Sequence, residues 1–307
     1  MKASIRTKVV LGLVVVCLIW GSTWLAIKVG LRTVTPFLAA SLRFFIAALL
    51  LFAISRIRGS KSPLGKRFWS VAILLSLLSF SIPFALVYWG QSQIPSSLAS
   101  ILFATFPFSV ALFSHFRLPD EPMTLAKGLG IVSGFSGVYI IFASELTFAS
   151  ELAEWGMLAI VASAVMQAYA LVSFKKYGKG LDLVRVNLAA MTIGGILLFL
   201  VSLFTEQHDG VRFDNLAILS LIYLSVFGSV VTFLTYFWLV KHVDVVLLSL
   251  TAFVTPIIAV LLGTLVLRES LAPQVLAGST LVLGGILIAN SPDVLTLAKR
   301  GKAWLLD

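Results

Sequence analysis

VVLGLVVVCLIWGSTWLAI, residues Val9–Ile27, decides the fold class of this chain, for these residues carry no charge and are flanked by Lys8 and Lys28. Coiled as a helix at about 1.5 Å per residue, the run is about 28 Å long, the thickness of a bilayer's hydrocarbon. It does not alternate polar with apolar residues and is about twice as long as a membrane-barrel strand, so a helix is expected. Lys2, Arg6 and Lys8 lend it the look of a secretory signal. The run nevertheless continues through Trp20, Gly21, Ser22, Thr23 and Trp24 with no small-residue cleavage site, which predicts a retained first span.

Nine comparable runs follow: Phe37–Ile54, Trp69–Trp89, Ser96–Ser114, Met123–Ala143, Trp155–Phe174, Val184–Phe204, Leu216–Val240, Val245–Leu267 and Leu271–Ala289. The whole chain is 59% hydrophobic and only 12% charged, with a mean hydropathy of +1.05, so lipid must be its solvent. The expected fold is an all-α integral membrane protein with ten transmembrane helices. Spans and short turns consume nearly all 307 residues and leave no room for an appended catalytic domain.

Charge then orients the spans. With the N-terminus in the cytoplasm, eighteen of the 23 basic residues fall on the inner side, among them Arg56, Arg58, Lys66, Arg67, Lys175, Lys176, Lys179 and Arg185. That bias predicts a multi-pass membrane protein with both termini cytoplasmic. The net charge of +10 is scattered among loops and forms no basic stripe, which argues against nucleic acid as a partner. Cys17 is the only cysteine and lies within the first run, so disulfides and multi-cysteine metal sites are excluded, and no cofactor is implied.

Five spans per half make the second half enter the membrane in the opposite sense, the geometry of inverted-repeat carriers. The expected units are residues 1–146 and 147–307. A shift of 149 residues pairs Trp89 with Trp238, Ser100 with Ser249 and Pro107 with Pro256, and a shift of 148 pairs Glu121 with Glu269, Gly130 with Gly278 and Gly137 with Gly285.

The chain also resembles the EamA family of the drug/metabolite transporter superfamily over nearly its whole length. The resemblance is carried by IWGSTWLAIKVGL (Ile19–Leu31), TPFLAASLRF (Thr35–Phe44), YWGQSQIPSSLASILFATFPF (Tyr88–Phe108), Asp120-Glu121 and VTPIIAVLLGTLVLRES (Val254–Ser270). It implies an inner-membrane carrier that exports metabolites, amino acids or drugs by alternating access. It also implies a central cavity among the first, third, fourth, sixth, eighth and ninth spans. The stretch Trp155–Ser163 departs from the family pattern, which leaves that wall the least defined.

Several side chains are candidates for the cavity. Trp20, Trp24 and Lys28 recur every four residues and share one helical face, where two indoles lead towards a cation. The reading as a wall for a flat solute competes with that of an interfacial aromatic belt and a snorkelling lysine. Arg43 lies seven residues beyond Pro36, at a depth of about 10 Å, where an unpaired cation costs at least about 2.5 kcal/mol. Its neighbours Ala39, Ala40 and Ala47 are small whereas Leu38, Leu42, Phe45 and Leu49 suit lipid, so Arg43 is expected to point inward, either to hold a carboxylate or to tie helices together. Ser22, Thr23, Tyr88, Gln167, Tyr169, Thr232 and Tyr236 add hydrogen-bonding groups at membrane depth, and Pro107 and Pro256 are expected to kink their helices and serve as hinges. Gly130 and Gly134 form a small face for close helix packing, and a monomer suffices.

None of the apolar cores contains Asp or Glu, the usual element of an intramembrane proton or sodium relay. Downhill or weakly coupled movement of a neutral, zwitterionic or amphipathic compound is expected, with His115 the sole histidine placed to assist a proton. An intramembrane lipid-modifying enzyme would need converging acids, histidines or metal ligands, which the spans do not supply. A passive channel is the remaining alternative.

Overall fold

The computed structural model of the protein describes residues 3–59, 64–118, 123–145, 151–240 and 251–304, and the described residues are helical with short connections. In chain order these are α1 (Ala3–Gly30), α2 (Pro36–Arg58), α3 (Lys66–Gln93), α4 (Ser96–Arg117), α5 (Leu125–Glu145), α6 (Glu151–Tyr177), α7 (Leu183–Thr205), α8 (215–240), α9 (Thr251–Val266) and α10 (Pro273–Trp304). Nine of them contain a segment long and apolar enough to cross a membrane, and α9 is the shorter apolar helix. The expected start of that span at Val245 lies outside the described residues.

Local chemistry sets the boundaries. Pro36 occupies the first turn of α2, where its missing N–H would be unpaired in any case, and Gly59 ends the helix at φ 60°, the left-handed conformation glycine adopts without strain. Asp182 caps α7 by accepting from the backbone N–H groups of Val184 and Arg185, and Asp214 caps α8 by accepting from that of Ala217. The two expected proline kinks come out differently. α4 is interrupted at Ala104–Thr105 and resumes at Phe106, so Pro107 sits in a first turn that needs no N–H. Pro256 lies inside α9 without breaking it.

α3 and α8 each contain one π-helical turn, Ser76–Ser81 and Val226–Val231, at positions 150 residues apart. In both, the backbone N–H of the next residue reaches five residues back, Ile82 to the Leu77 carbonyl and Thr232 to the Phe227 carbonyl. Hydroxyls follow the same wide spacing. Ser81 Oγ donates to the Ser76 carbonyl, and Thr232 Oγ1 to the Phe227 carbonyl. Such turns concentrate at functional sites in helices.

α2 packs against α7, and α5 against α10; α1 packs on α8 and α9, and α6 on α3 and α4. The α5–α10 seam brings backbone onto backbone. A Cβ on Gly130 would meet the Gly285 carbonyl and one on Gly285 the Gly130 carbonyl, with the same reciprocal relation between Gly137 and Gly278. The small face of α5 thus serves packing within the chain. Phe44, Phe80, Phe108 and Tyr88 fill the interior, whereas Leu49, Tyr139 and Phe204 face outward.

Candidate functional site: a central aromatic cavity

Between these helices lies a cavity of about 490 Å³. Its wall comes mainly from α1, α3, α4, α6, α8, α9 and α10, with one residue each from α2 (Arg43), α5 (Lys127) and α7 (Asn187). Rings dominate it. Trp24 lies 5.4 Å from Phe103, Trp20 5.0 Å from Tyr236, and Phe80 5.8 Å from Phe233, all centroid to centroid. Ser79, Ser100, Gln167, Asn187 and Asn290 are among the polar points spaced between them. This is the composition of a small-molecule pocket, an apolar body with few hydrogen-bonding anchors.

Arg43 is 3% exposed and stands on the cavity wall. Its Nε donates to Ser229 Oγ (3.0 Å), Nη2 to the Gly228 carbonyl (3.2 Å) and Nη1 to the Tyr88 hydroxyl (3.4 Å), and the guanidinium lies 4.9 Å over the Phe84 ring. Two of these partners belong to the π turn of α8, where the widened ladder leaves polar groups for an outside donor. The small neighbours make this approach possible, since Ala40 and Ala47 are fully buried and a Cβ at Gly228 would press on the guanidinium itself. Arg43 points inward, as expected, and it also ties α2 to α8.

The cavity extends to the helix ends marked by Ser114, Lys127, Asn187 and Thr251. Hydrogen bonds tie the helices together at the opposite end. Lys28 Nζ donates to the carbonyls of Gln91 (2.7 Å) and Ile94 (2.8 Å), where α3 runs out and its last carbonyls lack helical partners. The fully buried Gln91 donates through Nε2 to the Trp24 carbonyl (2.5 Å), and Ser220 Oγ to that of Ala26 (2.5 Å). Glu269, just beyond α9, covers the start of α4: its carboxylate accepts from the backbone N–H groups of Ser96 (2.7 Å) and Ser97 (2.9 Å) and from both serine hydroxyls. Burial raises the pKa of this carboxyl, but the hydrogen bonds from Ser97 and Ser96 outweigh it and hold the group below the usual carboxylate range. Glu206 does the same at the start of α2, accepting from Phe37 N (2.7 Å) and Leu38 N (3.1 Å). A carboxylate at a helix N-terminus is favoured by both the free N–H groups and the helix dipole.

Of the residues singled out from the sequence, Trp20, Thr23, Trp24, Arg43, Gln167, Tyr236, Pro107 and Pro256 line the cavity. Five stand apart from it. Ser22 bonds Tyr223, Lys28 holds the α3 carbonyls, Tyr88 lies behind Arg43, Tyr169 accepts from Arg117, and Thr232 serves its own π turn. His115 accepts through Nδ1 from Met123 N (3.1 Å). Phe84, Phe103, Phe233 and Asn187 line the cavity as well; of these only Asn187, a lone amide in an apolar run, carries a signal in the sequence. Among the described residues no group of three His, Cys, Asp or Glu side chains could hold a metal.

Known proteins share this architecture. The chain is 30% identical over 279 residues to the uncharacterized transporter YoaV of Bacillus subtilis (strain 168), covering 91% of this chain and 95% of that protein. It is 29% identical to the protein PagO of Salmonella typhimurium, covering 80% of each, and 28% identical to the uncharacterized inner membrane transporter YedA of Escherichia coli K12, covering 80% and 79%. A solved crystal structure superposes with a TM-score of 0.66 at 21% identity, over 92% of this chain and 97% of that one, which shows a common fold. The EamA-like transporter family model matches twice in succession, over residues 7–143 and 154–291, and the chain therefore belongs to that family of membrane transporters.

Proposed function

We propose that the protein is a secondary transporter that exports small metabolites, such as amino acids or amphipathic compounds, across the inner membrane by alternating access. One observation carries this: the cavity extends from mid-helix to the Asn187 end while the Lys28 end is bridged by hydrogen bonds. On this reading the structure is the inward-facing state and both termini are cytoplasmic, in accord with the basic residues at that end. A continuous pore would need no such closure.

Ten spans in two inverted halves, 1–146 and 147–307, fit the same reading. The reciprocal glycine contacts of α5 and α10, the two π turns 150 residues apart, and the α1–α8 and α6–α3 packings are what a two-fold axis in the membrane plane would produce. No carboxylate lines the cavity among the described residues, which favours downhill or weakly coupled movement. The test is an untargeted comparison of metabolites inside and outside cells with and without the protein, followed by counterflow in proteoliposomes. Saturable exchange of labelled for unlabelled solute is expected; a linear, unsaturable flux would favour a channel. Uphill accumulation on a pH gradient, abolished by His115→Ala, would refute downhill movement.

A further inference from the structure

We propose that the cavity selects a planar aromatic compound bearing one negative charge and no positive one, with its carboxylate on Arg43 and its ring against Trp24 and Phe103. This rests on the transporter reading for the ligand's fate and, within it, sets amino acids aside in favour of amphipathic acids that lack an amine, on the chemistry of the wall.

Among the described residues, Arg43 is a buried cation held only by neutral groups. Ser229, the Gly228 carbonyl and Tyr88 take three of its five N–H donors, and no carboxylate pairs with it among the described residues. Burying a charge without a counter-ion is costly, and an arriving carboxylate relieves that cost while occupying the remaining donors. The same wall disfavours amines. No described lining residue is acidic, so an ammonium group would lose its hydration, find only hydroxyls and amides, and meet the like charge of Arg43. A zwitterion carries that penalty on half of its head group.

The ring follows from where aromatic faces remain for stacking. Phe84 is already covered by the guanidinium and one face of Phe103 by Phe106, stacked at 5.8 Å, whereas Trp24 and the other face of Phe103 stand 5.4 Å apart centroid to centroid at an angle of 59° and both residues line the cavity. Offset contact with such a pair favours a flat unsaturated body. A volume of about 490 Å³ admits one or two fused rings with a short acidic arm.

The test uses three naphthalene probes of nearly equal size, 2-naphthylacetate, 2-(2-naphthyl)ethylammonium and 2-naphthylalanine, titrated calorimetrically into the full-length protein in a neutral detergent. The acetate should bind about tenfold or more tighter than either of the others. Arg43→Lys should keep that order at lower affinity, and Arg43→Gln should abolish it. Equal or tighter binding of the ammonium or the zwitterion, binding of none of the three, or an unchanged order in Arg43→Gln would overturn the proposal; if the variants fail to fold, the order in the unaltered protein decides alone. Counterflow with the same probes separates the two readings. Binding of the acetate without exchange would sink the carrier and leave the selectivity standing, whereas exchange of the ammonium alone would do the reverse.

Discussion

Removing the charge of Glu269 should loosen the end of the cavity that Lys28 closes. In Glu269→Gln the side chain keeps its shape, but the amide has one acceptor oxygen where the carboxylate has two, so the bonds from one serine become neutral, the other serine's backbone N–H loses its acceptor, and the charge at the start of α4 is lost. A hydrogen bond to a charged group contributes about 1.5–3 kcal/mol against about 0.5–1.5 for a neutral one, and an anion at a helix N-terminus about 0.3–1 kcal/mol more. Glu269 is only partly buried, so solvent screens much of that sum and a net change of about 1–2 kcal/mol is expected. That is a factor of about 5–30 in the balance between closed and open arrangements. Ser100 lines the cavity just inside and is 2% exposed, so a Ser100→Cys reporter in a Cys17→Ala background reads the opening when an impermeant maleimide is added from the Lys28 side. Labelling should accelerate at least about fivefold in Glu269→Gln. An unchanged rate in a variant that still elutes as folded protein would refute the role given to this carboxylate.

Acidification should act through the same group. Because the folded protein lowers the pKa of Glu269, its contribution is complete above the ordinary carboxyl value of about 4.3 and disappears as the pH falls through the lower folded value. The Ser100→Cys labelling rate, divided by that of a free thiol at the same pH to remove the loss of thiolate, should be flat from about pH 8 to 5.5 and rise only in stronger acid; a rise near neutrality would assign the closure elsewhere. Lys28→Met, which strips the donor from the Gln91 and Ile94 carbonyls, should speed labelling, while Lys28→Arg should largely preserve closure. Gly130→Ala should lower the thermal midpoint by several degrees because its Cβ meets the Gly285 carbonyl, whereas Gly284→Ala, with open space around it, should leave the midpoint nearly unchanged by circular dichroism. Equal midpoints would refute the seam.

Run length and charge were enough to read helices and class, because in lipid every backbone group must be satisfied within its own segment. The inward aim of Arg43 was legible for a related reason: Ala40 and Ala47 can only face other helices, while Leu49, 68% exposed, lies opposite. Lys28 was read as a group for solute or for water, yet it ends on two carbonyls of α3. Those acceptors are 63 and 66 residues away in the chain, and no local pattern announces them. Phe103 and Phe233 escaped because their helices are apolar on every side, so periodicity cannot tell a cavity face from a lipid face. Pro83 follows the turn in α3 and Gly228 lies within that in α8, but neither residue by itself specifies a π turn, and Tyr169 left the candidate wall because Arg117 claims its hydroxyl.

The wide turns in α3 and α8 also set the phase of everything downstream. Wound instead as ordinary α-helix, the same residues would turn the following segment by about 100°, one residue's worth. Phe84 and Val87 would swing off the wall in one case, Phe233 and Tyr236 in the other, with no change in span length or hydropathy. Two silent insertions, invisible to any hydrophobicity profile, therefore decide which side chains a passing solute meets.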